Sequence, residues 1–195
     1  MESTEVTERH HGNRHGRSER ARRAVLDAAD DLLVEKGFAG VTIEGIAARA
    51  GVAKQTIYRW WNSKTDILLD TFTGDAAQHL APAGQDDLRG YLHALAEFLT
   101  TTDSGAVLRA LIGQAQHDPD LAATFRARFL DDQRVRDRNL VHRARERGEL
   151  PADLDLDLAV DELVGPIYYR VLVTGQPVDR AFTDRLVDRF AAGHA

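Results

Sequence analysis

Two short amphipathic segments flank a glycine between Thr42 and Trp60. Thr42 is a good N-cap for a helix that we expect to end at Ala50, and Gly51 supplies a tight turn before a second helix at about Lys54–Trp60. Three apolar residues lie where the two helices have to touch: Ala47, Val52 and Ile57. This spacing is typical of a helix-turn-helix, whose second helix can lie in a major groove and read base edges. Two ordinary core helices would give the same pattern.

The rest of the chain has helical periodicity and no strand alternation of any length. We therefore predict an all-α fold of about nine helices. The predicted helices are Glu19–Lys36, Thr42–Ala50, Lys54–Trp60, one that Ser63 caps and Lys64 begins, one opened by Asp86 or Asp87 that ends near Thr101, Asp103–His117, Pro119–Arg147, Asp155–Thr174 and Asp179–Ala192. The polar stretch Gln133–Asn139 predicts a break or an exposed segment in the longest of them. We expect a disordered basic arm over residues 1–18, a first helical domain over 19–64 and a second over 65–195.

Composition excludes several classes of protein. The chain has 43% hydrophobic residues and no cysteine, so it can bury a core but has no disulfide, thiol nucleophile or cysteine zinc site. The longest apolar stretch, Leu163–Val173, is short of the ~20 residues of a membrane span, and the N-terminus lacks a signal-peptide core. No nucleophile–base signature, phosphate loop or HExxH motif is present. We expect a cytoplasmic protein that is not an enzyme, does not bind membranes, and has no cofactor or functional metal site.

The net charge of −6 conceals an uneven distribution along the chain. Residues 9–64 hold 11 basic and 6 acidic side chains, whereas residues 65–195 hold 14 basic and 22 acidic ones. A basic front third indicates contact with a polyanion, although chance gives the same imbalance. Arginines and histidines of the expected arm could track phosphates: Arg9, His10, His11, Arg14, His15 and Arg17.

Residues 20–64 also resemble the N-terminal domain of the TetR family of bacterial transcriptional regulators. The matching residues are Ala28–Gly37, Phe38–Gly40, Val41-Thr42-Ile43, Ile46-Ala47, Ala50-Gly51-Val52, Thr56-Ile57-Tyr58, Trp61 and Ser63-Lys64. The resemblance implies a three-helix DNA-binding domain followed by an all-helical domain that binds ligand and dimerises. Residues Leu163–Phe182 resemble the regulatory domains of part of the family.

The resemblance implies two sets of DNA contacts. Phosphate contacts fall to the Thr42 hydroxyl at a helix N-terminus, the Tyr58 hydroxyl and Lys64. Trp60 could pack on the sugar–phosphate backbone or simply against Trp61, which we assign to the core. Lys54, Gln55 and Thr56 open the recognition helix; Gln55 could pair with adenine, and Thr56 could touch a thymine methyl or a phosphate. Arg59 departs from the commonest family residue, and it could bind guanine or equally anchor the DNA backbone. Ala53 stands where many family members have a Ser or Thr cap, so this helix lacks a cap that contributes ~1 kcal/mol.

The second domain has less specific signals. The resemblance implies a homodimer through the last two helices, and hence an operator that is an inverted repeat. Gly165-Pro166 predicts a kink in a helix. Gln114, His117 and Tyr168 are candidates to line an effector pocket, and each is also compatible with a purely structural role. The sequence thus favours a repressor that a small, mostly apolar effector releases from DNA. The alternatives are an activator, a regulator without a small ligand and a nonspecific architectural DNA binder.

Overall fold

The computed structural model describes the backbone of residues 12–80 and 87–194 and the side chains of residues 16–80 and 87–194. Over these residues the chain forms ten α-helices and no β-strand. The helices are α1 (Gly12–Gly40), α2 (Ile43–Ala50), α3 (Lys54–Tyr58), α4 (Lys64–His79), α5 (Leu88–Thr101), α6 (Ser104–Ala115), α7 (Pro119–Phe125), α8 (Asp131–Glu146), α9 (Leu156–Tyr169) and α10 (Arg180–Gly193).

The predicted all-α fold is confirmed. A π-helical turn, Arg126–Leu130, joins α7 directly to α8, so these two helices form one continuous helical segment. The ten α-helices in the described part of the chain therefore make nine such segments. The chain divides into two compact units, one up to Ile67 and one from Leu68 onward. This division falls within α4, three residues after the predicted boundary at residue 64. None of the helices described has the length and apolar character that a bilayer-spanning segment requires.

The first unit is built on α1, which begins at Gly12 and not at Glu19. Residues 12–18, which we expected in a disordered arm, are its first turns. Their polar side chains include good helix formers, and extending a helix from an existing nucleus is much easier than starting one. The N-terminal arm residues Arg9, His10 and His11, and the side chains of Arg14 and His15, lie outside the described residues. Gly37 has a φ of 67°, and it ends the long regular part of α1.

The helix-turn-helix of the first unit forms as the sequence predicts. The Thr42 hydroxyl caps α2 by accepting a hydrogen bond from the Gly45 N–H at 3.0 Å. Gly51 turns the chain in the left-handed region, with a φ of 65° that favours glycine. Ile46 and Ile57 are completely buried between the helices, and Val52 is half-buried. Trp61 is 3% exposed, which confirms its place in the core.

The second unit contains most of the aliphatic and aromatic core. One group of buried rings comes from three helices and the π-helical turn: Phe72, Phe98, Phe125 and Phe129. Aspartates cap its helices α7 and α10. The carboxylate of Asp118 accepts from the Leu121 N–H at 3.0 Å, and that of Asp179 from the Phe182 N–H at 2.8 Å. Each cap satisfies a backbone donor that has no partner within its own helix.

Of the two alternatives predicted for Gln133–Asn139, a break is wrong, whereas an exposed segment is partly correct, because four of the seven residues are exposed: Arg134, Val135, Arg138 and Asn139. Helix α8 is continuous from Asp131 to Glu146, and Gln133 and Asp137 are 3% and 6% exposed. The two residues are four positions apart, so they lie on the same face as the buried Leu140 and Ala144. Polar composition alone was misleading here because hydrogen bonds to a neighbouring helix compensate the burial.

Helix α9 continues through Pro166, which has no N–H to give to the carbonyl of Glu162. A π-helical turn, Arg170–Thr174, follows, and Gly175 ends it with a φ of 64°. Five apolar residues of α9 are buried inside the same unit: Ala159, Val160, Leu163, Val164 and Ile167. Three large apolar residues of α9 and its π-helical turn are exposed instead: Leu158, Tyr169 and Val173.

Candidate functional site

Helix α3 has one buried and several exposed residues. Ile57 is completely buried, whereas Lys54, Gln55, Tyr58 and Arg59 are exposed. Two further residues predicted to contact DNA, Thr56 and Trp60, are half-buried. The short helix is thus fixed by Ile57, and its polar side chains are left free to contact a partner.

The hydroxyls predicted to contact phosphate differ in their surroundings. The Thr42 oxygen already accepts the hydrogen bond that caps α2, and its hydroxyl hydrogen can still be donated. The Tyr58 side chain is 53% exposed. The Trp60 ring packs edge-on against Trp61, with ring centroids 5.4 Å apart, so the packing alternative for Trp60 holds in this structure. That contact still leaves Trp60 partly exposed.

Lys64 is a hydrogen-bond donor within the first unit. Its ammonium Nζ donates to the carbonyl oxygen of Phe38 at 2.7 Å and to that of Val41 at 3.0 Å. The same nitrogen lies 4.1 Å from the centroid of the Phe38 ring. Lys64 therefore ties the start of α4 to the segment that connects α1 with α2. An ammonium has three N–H donors, so one remains for a phosphate.

Lys54 has a partner that sequence reasoning missed. Its ammonium donates to the carboxylate of Glu44, in the first turn of α2, at 2.9 Å. This hydrogen bond raises the pKa of Lys54 and lowers the pKa of Glu44. The pair joins the two short helices on their exposed side. No sequence motif identified it, because the two residues are brought together only by the turn at Gly51.

Helix α3 begins without a side-chain cap, as Ala53 predicts. By contrast, α4 begins with a reciprocal capping box. The Ser63 hydroxyl accepts from the Asp66 N–H at 3.1 Å, and the Asp66 carboxylate accepts from the Ser63 N–H at 3.1 Å. The first unit therefore has a firmly capped α4 beside a less firmly capped α3.

The three residues predicted to line an effector pocket lie on different parts of the second unit. Gln114 is half-buried on α6, and His117 is exposed just after that helix. Tyr168 is half-buried on α9 and lies close enough to Asp137 of α8 for their charges to interact. Of the three predicted residues, Tyr168 is therefore the one beside a cluster of polar residues, described next, that the sequence analysis did not detect.

The polar cluster of the second unit is formed by Tyr91, Gln133 and Asp137. The Tyr91 hydroxyl donates to the Asp137 carboxylate, and the Gln133 amide donates to the same carboxylate at 2.8 Å and to the Tyr91 oxygen. The Arg136 guanidinium donates to the side-chain oxygen Oε1 of Gln133 at 2.7 Å. Burial raises the pKa of the Asp137 carboxyl, although the hydrogen bonds from Tyr91 and Gln133 oppose this shift. Burial also raises the pKa of Tyr91 and of Tyr168.

A small cavity adjoins this cluster between α5, α8 and α9. Tyr91 and Asp137 are its polar lining residues, and its other walls are aliphatic: Leu88, Leu92, Leu140, Val141, Val160, Leu163 and Val164. The cavity has room for about one water molecule. Gln133, Asp137 and Val141 are spaced four residues apart, so they lie on one face of a helix. This spacing was the one signal in the sequence that could have located the cavity.

The first unit therefore presents a short, polar, exposed helix on a well-packed helix-turn-helix, and the second is a separate helical unit. This arrangement defines a helix-turn-helix DNA-binding protein with an additional helical domain.

Comparison with known proteins identifies the family. Residues 25–71 match the model of bacterial regulatory proteins of the tetR family, and residues 84–190 match the tetracyclin repressor-like C-terminal domain. The uncharacterized HTH-type transcriptional regulator YdeS of Bacillus subtilis is 39% identical over 175 residues, which is 88% of this chain and 88% of that protein. The DNA-binding transcriptional repressor TetR of Mycobacteroides abscessus is 30% identical, over 88% of this chain and 92% of that protein.

Solved structures agree with this result. The TetR family transcription regulator SCO0332 is 35% identical, with a TM-score of 0.71 over 90% of this chain and 98% of that chain. The transcriptional regulator FadR of Bacillus subtilis, in complex with stearoyl-CoA, shares the fold at 22% identity, with a TM-score of 0.73 over 89% of this chain and 99% of that chain. The chain belongs to the TetR family and is a DNA-binding transcriptional regulator.

Proposed function

We propose that the protein is a homodimeric repressor that binds an inverted-repeat operator and is released by a small, mostly apolar effector in its second unit. The observation that carries the DNA-binding part is the side-chain distribution on α3. Ile57 is buried, while Gln55, Tyr58 and Arg59 are exposed. A recognition helix needs this combination, because it has to be held rigidly and still offer hydrogen-bonding groups to base edges.

Individual DNA contacts are part of the same proposal. Gln55 can pair with N6 and N7 of adenine, and Arg59 with O6 and N7 of guanine. Thr42, Tyr58, Trp60 and the third N–H of Lys64 contact the sugar–phosphate backbone and set the docking geometry. Lys54 and Thr56 lie at the start and in the middle of α3, where they reach a groove edge or a phosphate.

The proposed homodimer is supported by an exposed apolar stripe in the second unit. Leu158, Tyr169 and Val173 are 56%, 59% and 69% exposed and fall on one side of α9 and its π-helical turn. Val135 of α8 is 57% exposed as well. Exposed apolar groups in such a row favour an interface with another molecule. The opposite face of α9 is covered by its own unit, so a second copy would use this stripe together with α10.

An effector in the second unit would act by preferring the conformation that does not bind DNA. Coupling of this kind is typically about 1–3 kcal/mol, which is a change of 5–150-fold in DNA affinity. A cavity that a ligand could widen lies beside Asp137 in the second unit.

The test is a selection of DNA sites. The purified full chain is incubated with a pool of random duplexes at about 0.15 M salt, and the retained duplexes are sequenced. We expect an inverted repeat whose half-sites are about one helical turn apart, ~34–36 Å. Gln55→Ala should relax the preference at one base pair of each half-site, whereas the exposed Gln78→Ala should leave the selected sequence unchanged.

Two results would contradict the proposal. Retention of duplexes without enrichment indicates a nonspecific architectural binder, especially if affinity falls steeply with salt. No retention at all argues against DNA binding by the free protein. A reporter gene placed behind the selected site then distinguishes repression from activation.

A further inference from the structure

We propose that the cavity between α5, α8 and α9 is the binding site for the ammonium group of an apolar amine, with the Asp137 carboxylate as its counter-ion. This inference rests on the proposed function, since it specifies the chemical class of the effector. It starts from a buried carboxylate that the DNA-binding machinery does not use.

Asp137 is 6% exposed, and the groups that donate to it are neutral. The Tyr91 hydroxyl and the Gln133 amide both donate to one oxygen, Oδ1. Within residues 12–80 and 87–194, no hydrogen bond reaches the other oxygen, Oδ2, and no basic side chain forms an ion pair with this carboxylate. One carboxylate oxygen is therefore available to a new donor.

The two nearby arginines are engaged elsewhere. Arg134 donates to the Asp161 carboxylate at 2.8 Å and to the Asp157 carboxylate at 3.2 Å, on the exposed side of α8. Arg136 donates to the side-chain oxygen Oε1 of Gln133 at 2.7 Å, so its link to Asp137 passes through the Gln133 side-chain amide. Their charges lower the pKa of Asp137 from a distance, but burial raises it more.

A cation is the ligand group that this environment lacks. Burying a carboxylate without a cation is unfavourable, and an ammonium would supply both the charge and up to three donors. The aliphatic walls from Leu92, Leu140 and Leu163 suit the hydrocarbon part of such a ligand.

The size of the cavity gives binding a conformational consequence. There is room for about one water molecule, so an organic amine has to part the surrounding helices before it can enter. A ligand that fits only the opened form shifts the protein toward that form, which is the property that an effector needs.

The experiment uses three small probes that differ only in their head group: n-hexylamine, 1-hexanol and hexanoate. Their affinities for the full chain are measured by calorimetry at neutral pH. We expect n-hexylamine to bind at least 10-fold more tightly than 1-hexanol, and hexanoate to bind most weakly because its charge repels Asp137. Asp137→Asn should abolish the preference for the amine. The control Asp132→Asn, at an exposed position of the same helix, should retain it.

The comparison among probes needs no variant, so it remains decisive if Asp137→Asn fails to fold. Equal binding of the amine and the alcohol, absence of amine binding, or an amine preference that survives in Asp137→Asn would overturn the inference. Operator binding is measured separately with no probe present. If the wild-type chain does not bind an operator, the proposed function is contradicted. If it binds an operator but shows no preference for the amine, only this site is contradicted.

Discussion

Replacing Lys64 with methionine should destabilise the first unit. Methionine keeps most of the aliphatic stem but removes the ammonium that bonds the carbonyls of Phe38 and Val41. Hydrogen bonds from a charged donor contribute about 1.5–3 kcal/mol each, and a cation over an aromatic ring about 0.5–1 kcal/mol at partly exposed sites. Lys64 is half-buried, so water can reach part of the site and the lower values apply. The expected loss in the free energy of unfolding is therefore about 3–4 kcal/mol.

The natural tryptophans provide a selective assay. The chain has two tryptophans, Trp60 and Trp61, and both lie in the first unit. Intrinsic tryptophan fluorescence during urea denaturation therefore reports on this unit and not on the second. With a urea dependence of about 1–3 kcal/mol/M, the midpoint of Lys64→Met should fall by roughly 1–4 M.

Lys36→Met is the matched control, because Lys36 is an exposed lysine of the same unit. A surface substitution of this kind changes stability by less than about 0.5 kcal/mol. If Lys64→Met and Lys36→Met unfold at the same urea concentration, the two carbonyl contacts do not stabilise the unit and the reasoning is refuted.

Three further predictions concern the two units. Tyr58→Phe should weaken binding to all duplexes without changing the tryptophan-monitored midpoint, since Tyr58 is 53% exposed; an altered sequence preference would contradict a phosphate contact. Gly105→Ala should destabilise the second unit, measured by circular dichroism, by about 1–3 kcal/mol, because an added Cβ would lie 2.0 Å from the Leu99 carbonyl oxygen. Gly113→Ala, with open space around it, should be neutral or slightly stabilising, and equal effects would refute this explanation. The Asp137→Asn variant should become more stable relative to the wild type as the pH rises above about 4. Burial raises the pKa of Asp137 in the folded state, so the wild type loses stability as the pH rises through that pKa, and asparagine has no such loss. Parallel pH profiles of the two proteins would exclude this explanation.

The sequence by itself determined the helical elements and the identity of the DNA-binding unit. Capping residues and turn glycines act through bonds to their immediate neighbours, so Thr42 and Gly51 could be assigned from position alone. The burial of Ile57 and the exposure of Gln55 follow from helical periodicity, which is also a local property.

Only the tertiary structure decided which polar groups pair over long sequence distances. Lys64 meets the carbonyl of Phe38, 26 residues earlier, and Tyr91 meets Asp137, 46 residues later. A polar residue gives no indication in the sequence of whether it will be solvated or compensated by a distant partner, and this is why Gln133–Asn139 was misinterpreted. The apolar residues of α9 show the same limit. Periodicity showed that Val160 and Ile167 needed covering, but the fold decided that their own unit covers them and leaves Tyr169 exposed. Burial depends on which elements pack together, and that is settled by the whole chain.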